Sequence, residues 1–250
     1  MKRSAAGDVV SNQPLESVPS YAEFFDRFGA SCRRKYVDPG VIRGWLSQAR
    51  RRLSGRPVKR RYFRRPYRLP AVSPLPRDFI RLDPWEMDYV YVLAGSARHG
   101  ILETGRFNGG SVFLMAWANR RVPIASIDIA PQDDRALAGY LKRFGIGENV
   151  TLIVGDSQHA RDSRVGPLDL LFVDGDHSYQ GCWNDLANWW PLVVPGGHVL
   201  VHDCYGGTEV QPATIDFIEG HEVEVVRTPF IHAAHLHNPC GSLAHFRKRG

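Results

Sequence analysis

The stretch GILETGRFNGGSVFLMAWA, residues 100–118, decides the fold. It reads as a short apolar strand ending near Glu103, a turn carrying Gly105, Gly109 and Gly110, and then an apolar helix. Four more short apolar runs follow: PIASIDIA (123–130), NVTLIVGDS (149–157), LDLLFVDGDH (168–177) and HVLVHDC (198–204). Each ends in or just before an acid, and helical segments lie between most of them. One such segment is CWNDLANWWPLV (182–193), whose Trp183, Leu186, Trp190 and Val193 fall on one helical face and read as packing residues. Alternation of this kind predicts an α/β fold, a doubly wound parallel sheet with helices on both faces. Upstream, DPWEMDYVYVLAGS (83–96) opens with Asp83 at a cap position, Pro84 in the first turn and Glu86 three residues after the cap, the pattern of a helix start.

The chain has 250 residues, 43% of them hydrophobic, enough for one large α/β domain with an extension. We expect residues 1–82 to be a basic N-terminal extension with a proline-rich linker, and residues 83–250 to be the domain. Residues 43–68 hold 11 Arg or Lys and no acid, so removing them from the formal +6 leaves about −5 for the rest. Such an arm, with Tyr62, Phe63 and Tyr67 interleaved, suits nucleic acid, an anionic surface or a solvated tail. The N-terminus has no apolar stretch and no window approaches membrane-spanning length, and Cys32, Cys182, Cys204 and Cys240 have no paired spacing. These features set the expectation of a cytoplasmic protein with reduced thiols and no membrane span.

The strand ends read as a site, because ligands of open α/β sheets bind at the carboxyl edge. Gly105, Gly109 and Gly110 let the backbone approach a ligand, but neither the dinucleotide G-x-G-x-x-G nor the phosphate-binding G-x-x-x-x-G-K-[ST] spacing is present. Asp128 ends the second strand, placed like the acid that takes a ribose hydroxyl, and Asp156 follows the third. Together they argue for an adenosine-containing ligand without a pyrophosphate. Asp128 and Asp156 could alternatively cap the helices that follow. Glu103, behind an apolar strand, is an acid that needs a partner if buried. The run FVDGDHSYQG, residues 172–181, then puts two aspartates and a histidine just beyond a buried strand.

These motifs resemble the class I S-adenosylmethionine-dependent methyltransferases: ILETGRFNGGS their first motif, SIDIAP their second, VTLIVGDSQ their adenine-side segment. FVDGDHSY followed by LVVPGGHVLVHDC resembles, within them, the small-molecule O-methyltransferases related to catechol, macrolide-sugar and cephalosporin-hydroxylase-like enzymes. The resemblance implies a Rossmann-like methyltransferase fold with a seven-stranded, mostly parallel sheet whose last strand, SLAHFRK, is antiparallel. It implies S-adenosylmethionine as cofactor, with Glu103 and Gly105 on the methionine part, Asp128 on the ribose, and Asp156 with Ser157 on the adenine. It also implies a divalent cation, Mg or Mn, on Asp174, His202 and Asp203, and His177 as general base toward a hydroxylated small molecule. Asp176 would stand behind these or cap the next helix.

His202 departs from the usual carboxylate, which shifts preference from magnesium toward manganese. Three roles stay open for it: cation ligand, base of a metal-free site, or hydrogen-bonding member of a turn. HAAHLHNPC (232–240) has zinc-like residues but lacks the second half of a zinc ribbon, and reads as a loop beside the site. The alternative function is an RNA-binding methyltransferase, or a noncatalytic RNA-binding protein, using the 43–68 arm. Against base N-methylation stands DGDH in the place where amino-group methyltransferases carry [DN]-P-P-[YF]. Homo-oligomerisation is compatible with the sequence.

Overall fold

The structure is a computed structural model and describes residues 20–32, 74–158, 162–227 and 242–250. The basic arm, the proline-rich linker and HAAHLHNPC lie outside the described residues.

Seven strands form one sheet in the order β3-β2-β1-β4-β5-β7-β6. They are β1 (Ile101–Thr104), β2 (Ile124–Asp128), β3 (Val150–Val154), β4 (Leu168–Val173), β5 (Val193–Val201), β6 (Val223–Arg227) and β7 (Ala244–Lys248). All neighbouring pairs are parallel except β5–β7 and β6–β7, so only β7 is reversed. This is the doubly wound sheet with an antiparallel last strand that the sequence predicts. Strand β4 spans the very residues read as a buried run, and β1 pairs with it through Ile101–Leu170 to Thr104–Val173.

Among the described residues the α-helices are α1 (Tyr21–Phe28), α2 (Pro84–Ser96), α3 (Gly110–Ala118), α4 (Asp134–Arg143), α5 (Tyr179–Trp189) and α6 (Val210–Glu219). Side chains alternate across each strand. Ile101, Leu170, Phe172 and Leu200 point to one core with α1, α2, α3 and α4, while Leu102, Leu171, Val173 and Val201 point to a second core with α5 and α6. Trp189 is fully buried in the second core, with Trp183 and Trp190 packed against it. The single helical face read over 182–193 is corrected here. Helix α5 stops at Trp189 because Pro191 cannot continue it, and Trp190–Leu192 form a 3-10 turn from which Val193 starts β5.

Helix α2 starts as read: Asp83 and Glu86 cap each other reciprocally, with Pro84 in the first turn. The described part of the N-terminal segment packs into the first core. Helix α1 is capped by Ser20 and buries Phe24 and Phe28 against Phe113 and Trp117, with ring centroids of Phe28 and Trp117 4.8 Å apart. Residues Phe79 and Ile80 lie so close to the start of α3 that a Cβ on Gly110 would fall 2.3 Å from the Phe79 carbonyl oxygen.

Phe28 is fully buried in this aromatic cluster, so Phe28→Ala should destabilise the protein by about 3–5 kcal/mol. A urea midpoint that does not move would show that α1 is not part of the domain's core.

Candidate active site

The strand order reverses between β1 and β4, whose following helices α3 and α5 leave on opposite faces. The resulting crevice at the carboxyl edge is a cleft of about 470 Å³. Gly105, Asp128, Asp156, Ser157, Asp174, His177, His202 and Asp203 all line it. Glu103 does not. It lies fully buried beneath, where Ser126 donates a hydrogen bond to its Oε2 at 2.6 Å and Oε1 has no partner. Burial pushes its carboxyl up to about 8, against hydrogen bonds from Ser111 and Ser126 that pull it down.

Gly105 has φ +78°, and a Cβ there would fall 2.1 Å from the Asp174 carbonyl oxygen, so only glycine lets the turn after β1 cross the end of β4. Asp128 fastens that turn. Its Oδ2 accepts the backbone N–H of Arg106 and Phe107 at 2.8 and 2.9 Å, and its Oδ1 accepts that of Ala130 at 2.7 Å. A carboxylate offers about four acceptor positions, so Asp128 keeps capacity for one more donor from a ligand in the cleft. The buried guanidinium of Arg106 ties the turn to the neighbouring elements: a two-pronged pair with Asp134 on α4, and bonds to the carbonyls of Ser126 and Ile153. Phe107, at φ +48°, and Ile129, which is 70% exposed, also line the cleft. An exposed apolar side chain beside a strand-end acid suits the flat face of a base.

On the far wall, the Ser157 hydroxyl points inward and donates to Asp185 at 2.6 Å, and its carbonyl accepts from Asn188 and Trp189 on α5. Ser157 therefore meets the cleft with its backbone. Asp156 accepts the N–H of Gln158. Asp176 accepts from both the N–H and the hydroxyl of Ser178, the residue that caps α5, so it braces that cap rather than being the cap itself.

The remaining groups gather at the ends of β4 and β5. His177 Nε2 stands 3.6 Å from Asp174 Oδ1 and 3.9 Å from Asp203 Oδ2, with its side chain 53% exposed. The ligand atoms of these three residues lie within 4.8 Å of one another, a grouping that could hold a metal ion. His202 falls outside that grouping. Its ring is buried, with Nδ1 2.9 Å from Asp174 Oδ1 and Nε2 3.2 Å from Glu86 Oε2. Both ring nitrogens are thus engaged by carboxylates, which fits the hydrogen-bonding role among the three left open for His202. Asp203 holds a left-handed backbone at φ +50°, with its N–H bonded to the Ser242 hydroxyl.

Burial disfavours charge on His202, but Asp174 and Glu86 on its two sides outweigh it and raise its pKa well above 6.5. Burial likewise opposes ionisation of Glu86, yet His202 and the N–H groups of Ser242 and Asp83 hold it down to about 2. Asp174 is lowered in the same way, burial being overcome by His202 and His177. The Asp174 hydrogen bond, with the charges of Asp174 and Asp203, raises His177 above 6.5 against its own burial. Sequence reasoning missed Glu86, Ile129, Phe107 and Arg81 as part of this region. The signal for Glu86 was present: His202 shares strand parity with Leu200, which faces the core containing α2.

With this geometry in place, residues 102–204 match the family model of a methyltransferase domain. The sheet order and its one reversed strand are those of the Rossmann-like methyltransferase fold. Protein R132 of Acanthamoeba polyphaga mimivirus, itself uncharacterised, is 31% identical over 113 residues, which make up 41% of this chain and 50% of R132. The chain thus spans half the length of the curated relative it matches. Among solved structures, the O-methyltransferase NovP is 15% identical with a TM-score of 0.54, covering 67% of this chain and 81% of NovP. A proposed rRNA-methylase from Clostridium thermocellum is 21% identical with a TM-score of 0.51, covering 66% of this chain and 93% of its own. At these identities the likeness shows the fold alone. Among the described residues, no helix is long and apolar enough to cross a membrane.

Because the His202 pKa is raised on folding, its stabilising charge is complete below about pH 6.5 and is lost as pH rises through the raised value. Removing one partner of a buried pair leaves the others unpaired, so His202→Ala should cost about 3–5 kcal/mol near pH 6. The gap to the native protein should narrow in alkaline buffer. Urea titrations showing a pH-independent gap would contradict a charged His202.

Proposed function

We propose that the chain is an S-adenosylmethionine-dependent O-methyltransferase that acts on a hydroxyl of a small molecule, such as a sugar or natural product. The observation that carries this reading is His177 Nε2 facing the carboxylates of Asp174 and Asp203, in one cleft with Gly105 and Asp128. A hydroxyl is a poor nucleophile until its proton has somewhere to go, whereas a neutral amine already offers a free lone pair. The turn at Gly105 and the carboxylate of Asp128 would hold the cofactor's methionine and ribose parts, with Ile129 against the adenine and Asp156 and Ser157 beyond it. The orphaned Oε1 of buried Glu103 beneath this turn fits a polar ligand group or a water above it. When bound, the cofactor supplies an electrophilic methyl group on a sulfonium.

In this mechanism His177 takes the acceptor's proton at Nε2. Asp174 and Asp203 hold the ring and favour the imidazolium that forms, and Asp174 is in turn fixed from behind by His202 and Glu86. Orientation of the acceptor against the methyl group then does the rest. A second reading is favoured by the close grouping of Asp174, His177 and Asp203: a divalent cation held by these three, which would lower the acceptor's pKa directly. Nitrogen in that set suits manganese better than magnesium. Exhaustive chelation separates the two, since turnover survives under the first reading and is lost under the second. Cys182 and Cys204 are buried free thiols, which suits the cytoplasm as the compartment we propose.

His177→Ala should reduce methyl transfer to a panel of hydroxylated acceptors by roughly 100-fold or more, with affinity for S-adenosylhomocysteine unchanged. The base works neutral and its pKa is raised, so the native rate should climb with pH through a value above 6.5, and that limb should vanish in the variant. Near-native turnover in His177→Ala would remove it from the chemistry.

Asp128→Ala should weaken S-adenosylhomocysteine binding by about 10- to 100-fold in calorimetry, since it removes a charged acceptor and loosens the turn it fastens. Unchanged affinity would take Asp128 out of the cofactor site.

A further inference from the structure

The cleft has an unbalanced lining. Five aspartates face it, Asp128, Asp156, Asp174, Asp176 and Asp203, and among the described lining residues Arg81 is the one Lys or Arg. Arg81 makes no ion pair with a described carboxylate. Its guanidinium carbon lies 5.0 Å from the centroid of the Phe107 ring instead. Two features hold that arrangement in place. The backbone before Arg81 is fixed, because Ile80 donates its N–H to the Ser31 carbonyl at 2.9 Å and lies against Gly110 too closely for any side chain there. The Phe107 backbone is fixed too, in its left-handed conformation, by Asp128 on its N–H and by Gln132, whose N–H reaches its carbonyl. A guanidinium resting on an aromatic face keeps its edge free to donate.

We infer that Arg81 is the anion-binding group of the cleft and takes the α-carboxylate of the cofactor. This rests on the reading of the cleft as an S-adenosylmethionine site. That cofactor carries a sulfonium, an ammonium and one carboxylate. The two cationic groups suit the aspartates, whereas the carboxylate would be repelled along most of the lining; His177 and His202 already face carboxylates of the protein, which leaves Arg81 as the lining cation that faces a ring instead. Its position suits this assignment. Phe107 is two residues past Gly105, so Arg81 sits over the turn that would hold the methionine part, and Phe107 sets its plane for a two-pronged carboxylate contact.

The test is a cycle of two ligands against two proteins, read by calorimetry on the full chain and needing no turnover. The ligands are S-adenosylhomocysteine and its decarboxylated counterpart, which keeps the adenosine, the sulfur and the amine. Arg81→Ala should weaken S-adenosylhomocysteine by roughly 10- to 100-fold and leave the decarboxylated ligand within about twofold of native. Arg81→Lys, which keeps the charge but loses the fork, should fall between. Equal weakening of both ligands, or of neither, would overturn the role of Arg81 while leaving the cofactor site standing. Failure of the native protein to bind S-adenosylhomocysteine at all would instead overturn the cofactor reading itself.

Discussion

The hydrogen-bonded pairing of β1 with β4 is the constraint on which the rest of the molecule depends. These two strands run side by side, yet the chain leaves them in opposite directions, to α3 on one face and α5 on the other. No side chain but glycine fits where the turn after β1 passes the carbonyl of Asp174. The crossing therefore holds the two halves of the cleft together: the turn fastened by Asp128 on one side, and Asp174 and His177 on the other. Arg106, buried and paired with Asp134, keeps the first half rigid, and the Glu86–His202–Asp174 chain does so for the second.

That buried chain links layers that are far apart in sequence. Glu86 caps the start of α2, accepts the N–H and hydroxyl of Ser242, and faces His202 at the end of β5. A buried charge pair of this kind adds little net stability compared with apolar packing, but it holds its members in one arrangement. Its consequence here is that Asp174 meets the cleft with its carboxylate already oriented and charged, ready to hold a ring or a cation.

Much of this was legible in the sequence, for definite reasons. Strand β4 could be read because a strand covered on both faces shows a nearly continuous apolar run, and the acids at 128, 156, 174 and 203 stand at the end of a strand or within two residues of it. The start of α2 could be read because its capping residues are local. The inward turn of Ser157 and the double engagement of His202 could not, because each depends on a partner brought from a distant segment, Asp185 and Glu86. Trp190 and Val193 were misplaced on a helix because periodicity was followed past Pro191, whose missing N–H ends it. Arg81 carried no signal: it lies in no motif, and only the fold shows that its neighbours in the cleft are all acidic or uncharged apart from histidines.

Under the proposed function, a methyl donor and an acceptor hydroxyl meet in this cleft. A crystal structure with S-adenosylhomocysteine bound tests it most directly. The ribose should lie at Asp128, the adenine beside Ile129, and the sulfur above Gly105 on the side facing His177. A ligand seated elsewhere, or one whose sulfur is walled off from His177 by intact protein, would contradict it.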